Sequence, residues 1–253
     1  MEESRTALVT GGARRIGLAI VRDLARHSWG VAIHCRNSSA QAESMAADIR
    51  SAGGRACVIA ADLADLGAVA TIFPAAAAAL GPVSLLVNNA SIFLDDRIGG
   101  LDSGQWQTQL DINLRAPVFL AQAFAAQLPD GAEGNIVNMI DQRVWKLTPE
   151  AMSYTLAKSA LWTATQTLAQ ALAPRIRVNA IGPGPTFPNR REGEAGLARE
   201  AAGVPLRRRV DPADFGRAIR FLVETPSITG QMLALDSGQH LGWRTPDVLG
   251  GQG

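Results

Sequence analysis

The chain has 253 residues, 47% hydrophobic and 19% charged, with a formal net charge of +1. That length holds one α/β domain or two small ones, and the composition is that of an ordinary globular protein rather than a disordered or fibrous one. The near balance of charge offers no bulk attraction to nucleic acid or to an anionic membrane surface. The sequence carries neither a long uninterrupted apolar run nor a basic-then-apolar leader, so neither a membrane span nor a secretion signal is expected. Cys35 and Cys57 are isolated and lack metal-ligand spacing, so no metal site is expected and a cytoplasmic location fits best.

Thr6 to Thr10 is a short apolar run of β type that leads at once into Gly11-Gly12-Ala13-Arg14-Arg15-Ile16-Gly17. Ile16, Ala19, Ile20 and Leu24 then recur at helical spacing, which predicts strand, glycine turn and helix. Such a turn aims backbone N–H groups and the positive end of a helix at a phosphate, although many strand-to-helix turns need glycine only for tight geometry. Gly30 to Cys35 forms the second strand, and Arg36, Asn37 and Ser38 stand at its end. An acid at that place binds a ribose hydroxyl in dinucleotide sites, whereas an arginine accommodates the 2′-phosphate of NADP. Arg36 therefore favours NADPH over NADH.

Ala56 to Ala61 is the third strand and delivers Asp62-Leu63, followed by a helix from about Leu66 to Leu80. Ser84 to Val87 is the fourth and ends in Asn88-Asn89-Ala90-Ser91. A helix over Gln105 to Gln127, a strand over Gly134 to Met139 and a helix over Ala151 to Ala173 follow; Pro174 stops that helix. Ile176 to Ile181, a helix from Ala213 to Leu222 and a strand from Gln231 to Leu235 complete the alternation. The fold class predicted is α/β: a single domain, Rossmann-like, with a doubly wound parallel sheet of about seven strands and helices on both faces. In such sheets ligands bind beyond the carboxyl ends of the strands, where the polar residues at 10–17, 36–38, 62, 88–91, 141 and 182–186 all fall.

Tyr154 is the only tyrosine, and Lys158 follows it by four residues, on the same face of a helix one turn away. A phenol has a reference pKa of about 10, and a neighbouring cation lowers it, which makes such a pair a proton donor. The pair alone recurs by chance on many helices, and its weight comes from its surroundings.

The glycine turn, Asn88-Asn89-Ala90, the Tyr154/Lys158 pair and Pro183-Gly184 together resemble the short-chain dehydrogenase/reductase family along nearly the whole chain. The resemblance implies NADP(H) bound by Gly11, Arg15, Ile16 and Gly17, with Asp62 and Leu63 at the adenine. It further implies Asn89, Ala90 and Ser91 near the adenosine ribose, Lys158 at the nicotinamide ribose, and Pro183, Gly184 and Thr186 closing the site. Asn113 matches an asparagine that supports a water chain to the lysine, against the plainer reading of a solvent-facing helix residue. A homotetramer and a cytoplasmic enzyme are also implied.

Two departures from the family pattern narrow the reading. Arg15 stands where a glycine is usual, and Asp141, thirteen residues before Tyr154, stands in place of the catalytic serine. A carboxylate repels a developing alkoxide but suits a substrate that offers N–H donors, such as a pterin. A cation near a positive helix end is unfavourable and implies an anionic or electron-rich partner for Arg15. Both substitutions, with an aromatic residue at Phe93, are similar to the pteridine reductase branch of the family. The expected activity is NADPH-dependent transfer of hydride to a dihydropterin stacked on Phe93, with Asp141, Tyr154 and Lys158 as proton relay. The alternatives are a carbonyl or 3-oxoacyl-thioester reductase and a non-catalytic NADP-binding regulator. Residues 186–209 lack a clear core face and are expected to form a substrate lid; Arg190 and Arg191 there could meet a substrate anion or be solvated.

Overall fold

The central strands of the sheet are short, largely apolar runs, because they are covered on both faces. The computed structural model describes residues 5–188 and 192–243. Its strands are β1 (Thr6–Val9), β2 (Gly30–Cys35), β3 (Ala56–Ala60), β4 (Leu85–Asn88), β5 (Gly134–Met139), β6 (Ile176–Pro183) and β7 (Met232–Leu235). All pairings are parallel, in the order β3-β2-β1-β4-β5-β6-β7. The strand order reverses between β1 and β4, which opens a crevice at their carboxyl ends.

The two-residue period of the strands splits the core into two layers. Ala7, Val9, Val31, Ile33, Leu85 and Val87 face α1 (Arg15–Arg26), α2 (Ser39–Ser51) and α8 (Ala213–Glu224). Leu8, Ala32, Leu86 and Val178 face α3 (Leu66–Leu80), α5 (Ala116–Gln127) and α6 (Met152–Leu172). Each buried Leu, Ile or Phe stabilises by about 1.5–3 kcal/mol, so a cavity made at the fully buried Phe124 by Phe124→Ala would cost about 3–5 kcal/mol. The strands and the doubly wound architecture agree with the sequence expectation; α2, with Ala42, Met45, Ala46 and Ile49 buried, is an element that reading passed over.

Two expected elements differ. The helix predicted over Gln105 to Gln127 is two helices, α4 (Ser103–Leu110) and α5, joined by a π-helical turn, Asp111–Arg115. Pro117 is the cause on the ladder side: it has no N–H to donate to the Asn113 carbonyl four residues back. The expected lid, 186–209, is not without a core face, because it contains α7 (Gly193–Gly203), which buries Gly196, Leu197 and Ala201. Arg190 and Arg191 lie outside the described residues. Among the described residues no helix is long and apolar enough to cross a membrane.

Candidate active site

The start of α6 is fixed before its functional residues appear. Asp96 accepts from the Ser153 N–H (3.1 Å) and from Ser153 Oγ (2.5 Å), and Gln109 Nε2 donates to that hydroxyl. All three side chains are buried, so the helix enters in one register. One residue on, Tyr154 Oη donates to Asp141 Oδ2 at 3.0 Å. Asp141 follows β5, and its other oxygen accepts from the Arg143 N–H at 2.8 Å as it caps the 3-10 turn Gln142–Val144. Lys158 Nζ donates to the Met139 carbonyl at 2.8 Å and lies 5.7 Å from the Tyr154 ring centroid. Three of the four predicted catalytic residues, Asp141, Tyr154 and Lys158, are thus brought together from the end of β5 and the start of α6.

Their electrostatics correct one expectation. Tyr154 is not lowered by Lys158; burial, and then the Asp141 carboxylate, push its hydroxyl well above the ordinary phenol value, while Arg143 and a hydrogen bond with Ser91 act the other way. Burial raises the Asp141 carboxyl, against the Arg143 N–H, the Arg143 guanidinium, Tyr154 and Lys158. Burial lowers Lys158 to about 8, opposed by Asp141. An acid of raised pKa hydrogen-bonded to a phenol is a pair that holds and passes a proton, rather than a lone ionised tyrosine.

Asn113 belongs to this cluster and is fully buried, which overturns the solvent-facing reading. Its Oδ1 accepts from Ser91 Oγ (2.8 Å) and the Ile92 N–H (3.1 Å), and its Nδ2 donates to the Ile92 carbonyl (2.8 Å). The side chain therefore pins the segment that carries Phe93. Phe93 is 54% exposed and meets the Tyr154 ring edge-on, centroids 4.8 Å apart, while the Arg143 guanidinium lies 5.8 Å from its centroid. The rest of the ring is open to a flat partner.

The glycine turn lies at the crevice. Gly11 has φ of 61°, and a Cβ on Gly17 would sit 2.3 Å from the Gly11 carbonyl oxygen, so both positions exclude a side chain. Helix α1 starts there with no side-chain cap and no acid in its first turn, and Ile16 lies in that turn; its donors and dipole suit an anion. Asn89 Nδ2 donates to the Thr10 (2.8 Å) and Gly11 (3.2 Å) carbonyls, and the Asn89 and Ala90 N–H groups donate to Thr10 Oγ1. Arg15 holds φ of 52°, a region that favours glycine and costs a side-chain residue about 1–2 kcal/mol. Its guanidinium donates to the Pro188 carbonyl (3.0 Å) and lies over the Phe187 ring, so it spans from the turn to the segment after β6.

Arg36 and Asp62, each half exposed, stand 3.9 Å apart at the ends of β2 and β3, with Asn37 and Ser38 beside them and Leu63 buried below. Pro183 ends β6; a Cβ on Gly184 would meet Asp236 Cα at 2.5 Å, and Thr186 Oγ1 donates to the Gly184 carbonyl. Sequence reasoning missed His34, Asp96 and Arg143. His34 is buried, accepts from the Gly11 N–H at Nδ1 (3.2 Å) and pairs with the Ala61 carbonyl at Nε2 (3.1 Å). His34 and Asp96 work through partners distant in sequence, and Arg143 reaches Phe93 fifty residues away, so no local pattern marks these contacts.

The short chain dehydrogenase model matches residues 5–194, and the chain belongs to that family of oxidoreductases. The crystal structure of FolM alternative dihydrofolate reductase 1 from Brucella canis, complexed with NADP, is 52% identical with a TM-score of 0.94, covering 96% of this chain and 97% of that one. Its counterpart from Brucella suis, also with NADP, is 52% identical with a TM-score of 0.91, over 96% and 98%. A 3-oxoacyl-(acyl-carrier-protein) reductase of Synechocystis sp. is 29% identical over 239 residues, 93% of this chain and 96% of that protein.

Proposed function

We propose that the chain is an NADPH-dependent pteridine reductase that reduces a dihydropterin, in the class of dihydromonapterin, dihydrobiopterin or dihydrofolate, within folate metabolism. The observation that carries this is the Tyr154 Oη to Asp141 Oδ2 bond: a carboxylate occupies the place from which a carbonyl would be polarised. The likeness to two dihydrofolate reductases crystallised with NADP supports it.

The residues fit the cofactor. The uncapped α1 terminus with Gly11, Arg15, Ile16 and Gly17 would hold the pyrophosphate, and Arg36, Asn37 and Ser38 the 2′-phosphate. Asp62 and Leu63 would hold the adenine, Asn89, Ala90 and Ser91 the adenosine ribose, Lys158 the nicotinamide ribose, and Pro183, Gly184 and Thr186 the far side. When bound, NADPH supplies the hydride that reduces the pterin C=N bond at carbon. Tyr154 gives a proton to the adjacent ring nitrogen from Oη and takes its replacement from solvent, while Asp141, at Oδ2, orients that hydroxyl and accepts from the N–H groups of the pterin. Lys158 offsets the negative charge that proton transfer leaves on the pair. Phe93 offers its open ring surface to the flat bicycle, a contact worth about 1 kcal/mol. Residues 186–209 close over the substrate as a lid that carries α7.

The test is NADPH oxidation by the purified protein, with a dihydropterin panel run beside an acetoacetyl thioester and a simple ketone. Turnover on the pterins, lost about 100-fold or more in Tyr154→Phe and strongly reduced in Asp141→Ala, is expected. Near-full turnover in both variants would overturn the assignment. A 3-oxoacyl-thioester reductase is the second reading, favoured by the Synechocystis relative; turnover on the thioester alone would establish it.

A further inference from the structure

Arg143 stands two residues beyond Asp141, and four features converge on it. Its N–H donates to Asp141 Oδ1 at 2.8 Å. Its guanidinium donates to Thr148 Oγ1, also at 2.8 Å, which folds the side chain back over its own loop. The same guanidinium lies over the Phe93 ring, whose edge contact with Tyr154 returns to the Asp141 bond. Its Nε is buried without a hydrogen-bond partner among the described residues. A buried, unpaired N–H of a permanent cation is costly, so the group stays there because charge and ring hold it.

We propose that Arg143 is a positioning residue of the reductive site: it keeps Asp141 available as a carboxylate, fixes Phe93 against Tyr154, and so sets the pH range over which the pair passes a proton. This rests on the pteridine reductase reading for its functional consequence. The groups that act on Asp141 are Arg143 from its own segment and Tyr154 and Lys158 from α6. The His240–Asp236 pair, joined at 2.7 Å, meets the segment through Trp145, whose ring lies 5.2 Å from His240. Lys158 is tied to the Met139 carbonyl, and the Arg143 guanidinium, tied to Thr148 and lying over Phe93, is the other cation that acts on Asp141. Burial drives the Asp141 carboxyl upward, and Arg143 is the first opposing influence, through its N–H and then its charge. Removing the charge leaves burial less opposed; Asp141 then stays neutral to higher pH and ceases to accept from substrate N–H groups.

The experiment is a pH titration of the protein labelled with 13C at the aspartate carboxyl carbon, followed by NMR without substrate. Asp141→Asn identifies the resonance. In Arg143→Met the Asp141 midpoint is expected to rise by about one pH unit. Thr148→Val, a change at an exposed residue, should move it the same way by less, and Arg143→Lys should restore most of the wild-type value. The Asp141 limb of the kcat/KM profile should move with it. The assignment is overturned if Asp141 titrates alike in wild type and all three variants, or if Arg143→Lys shifts it as far as Arg143→Met. The NMR arm needs no substrate, so turnover on thioesters instead of pterins would remove the pteridine reductase reading and leave this one standing.

Discussion

His34 shows how one buried side chain ties the cofactor turn to pH. Its Nδ1 accepts from Gly11, so its Nε2 carries the hydrogen donated to Ala61, and the ring is bound as the neutral form. Burial lowers its pKa from 6.5 to about 4. The folded value lies below the unfolded one, so the unfolded chain takes up the proton first as pH falls. Stability from His34 is therefore full above about pH 6.5 and lost as pH drops through about 4, a difference of about 3 kcal/mol. Protonation also turns an N–H toward the Gly11 N–H, which loosens the glycine turn. Calorimetry from pH 7 to 4 should show a smaller fall in Tm for His34→Gln than for wild type, since an amide can accept and donate without charging. Equal falls would mean that the ring does not titrate in this window.

At the scale of elements, the π-helical turn is the joint between fold and site. Asn113 is buried there with three hydrogen bonds to Ser91 and Ile92, so Asn113→Ala leaves donors and acceptors unpaired and should cost about 2–4 kcal/mol in urea unfolding. It also frees the residues that place Phe93, so KM for substrate should rise more than NADPH affinity falls; an unchanged KM would show that Phe93 does not need the tether. This joint was not legible in the sequence: one helix was expected from Gln105 to Gln127, and the gap that Pro117 leaves at the Asn113 carbonyl shows only once the turn is in place. The strands were legible, since burial on both faces makes the central ones bounded apolar runs and the alternation with helices places the rest. α7 was not, because Glu194, Arg199 and Glu200 interrupt a face that buries little beyond Leu197 and Ala201. Asp141, Tyr154 and Lys158 were found by spacing and resemblance. Arg143 and Asp96 were hidden because their roles depend on contacts made only when β5, α6 and the Phe93 segment meet.

At the scale of the whole molecule, the sheet order gathers every proposed contact at one edge, and the outer face of the α5 and α6 layer is left for another use. Phe119 on α5 and Leu156 on α6, helices that touch one another, are 41% and 46% exposed. Exposed large apolar side chains on two touching helices suit cover by a symmetric copy with the same residues, the arrangement of an isologous interface. Leu156 lies between Tyr154 and Lys158 in sequence but points away from the site, so association on this face would stiffen the helix that carries both. We predict that sedimentation velocity will give four times the 26.7 kDa of the chain, the homotetramer implied by the family. The double variant Phe119→Glu and Leu156→Glu should sediment as a smaller species, because burying two carboxylates against two more is strongly unfavourable. Its Tm should fall, and its kcat should fall further than its NADPH affinity if α6 is held by its neighbour. A wild-type monomer, or a tetramer untouched by the double variant, would place the interface elsewhere or remove it.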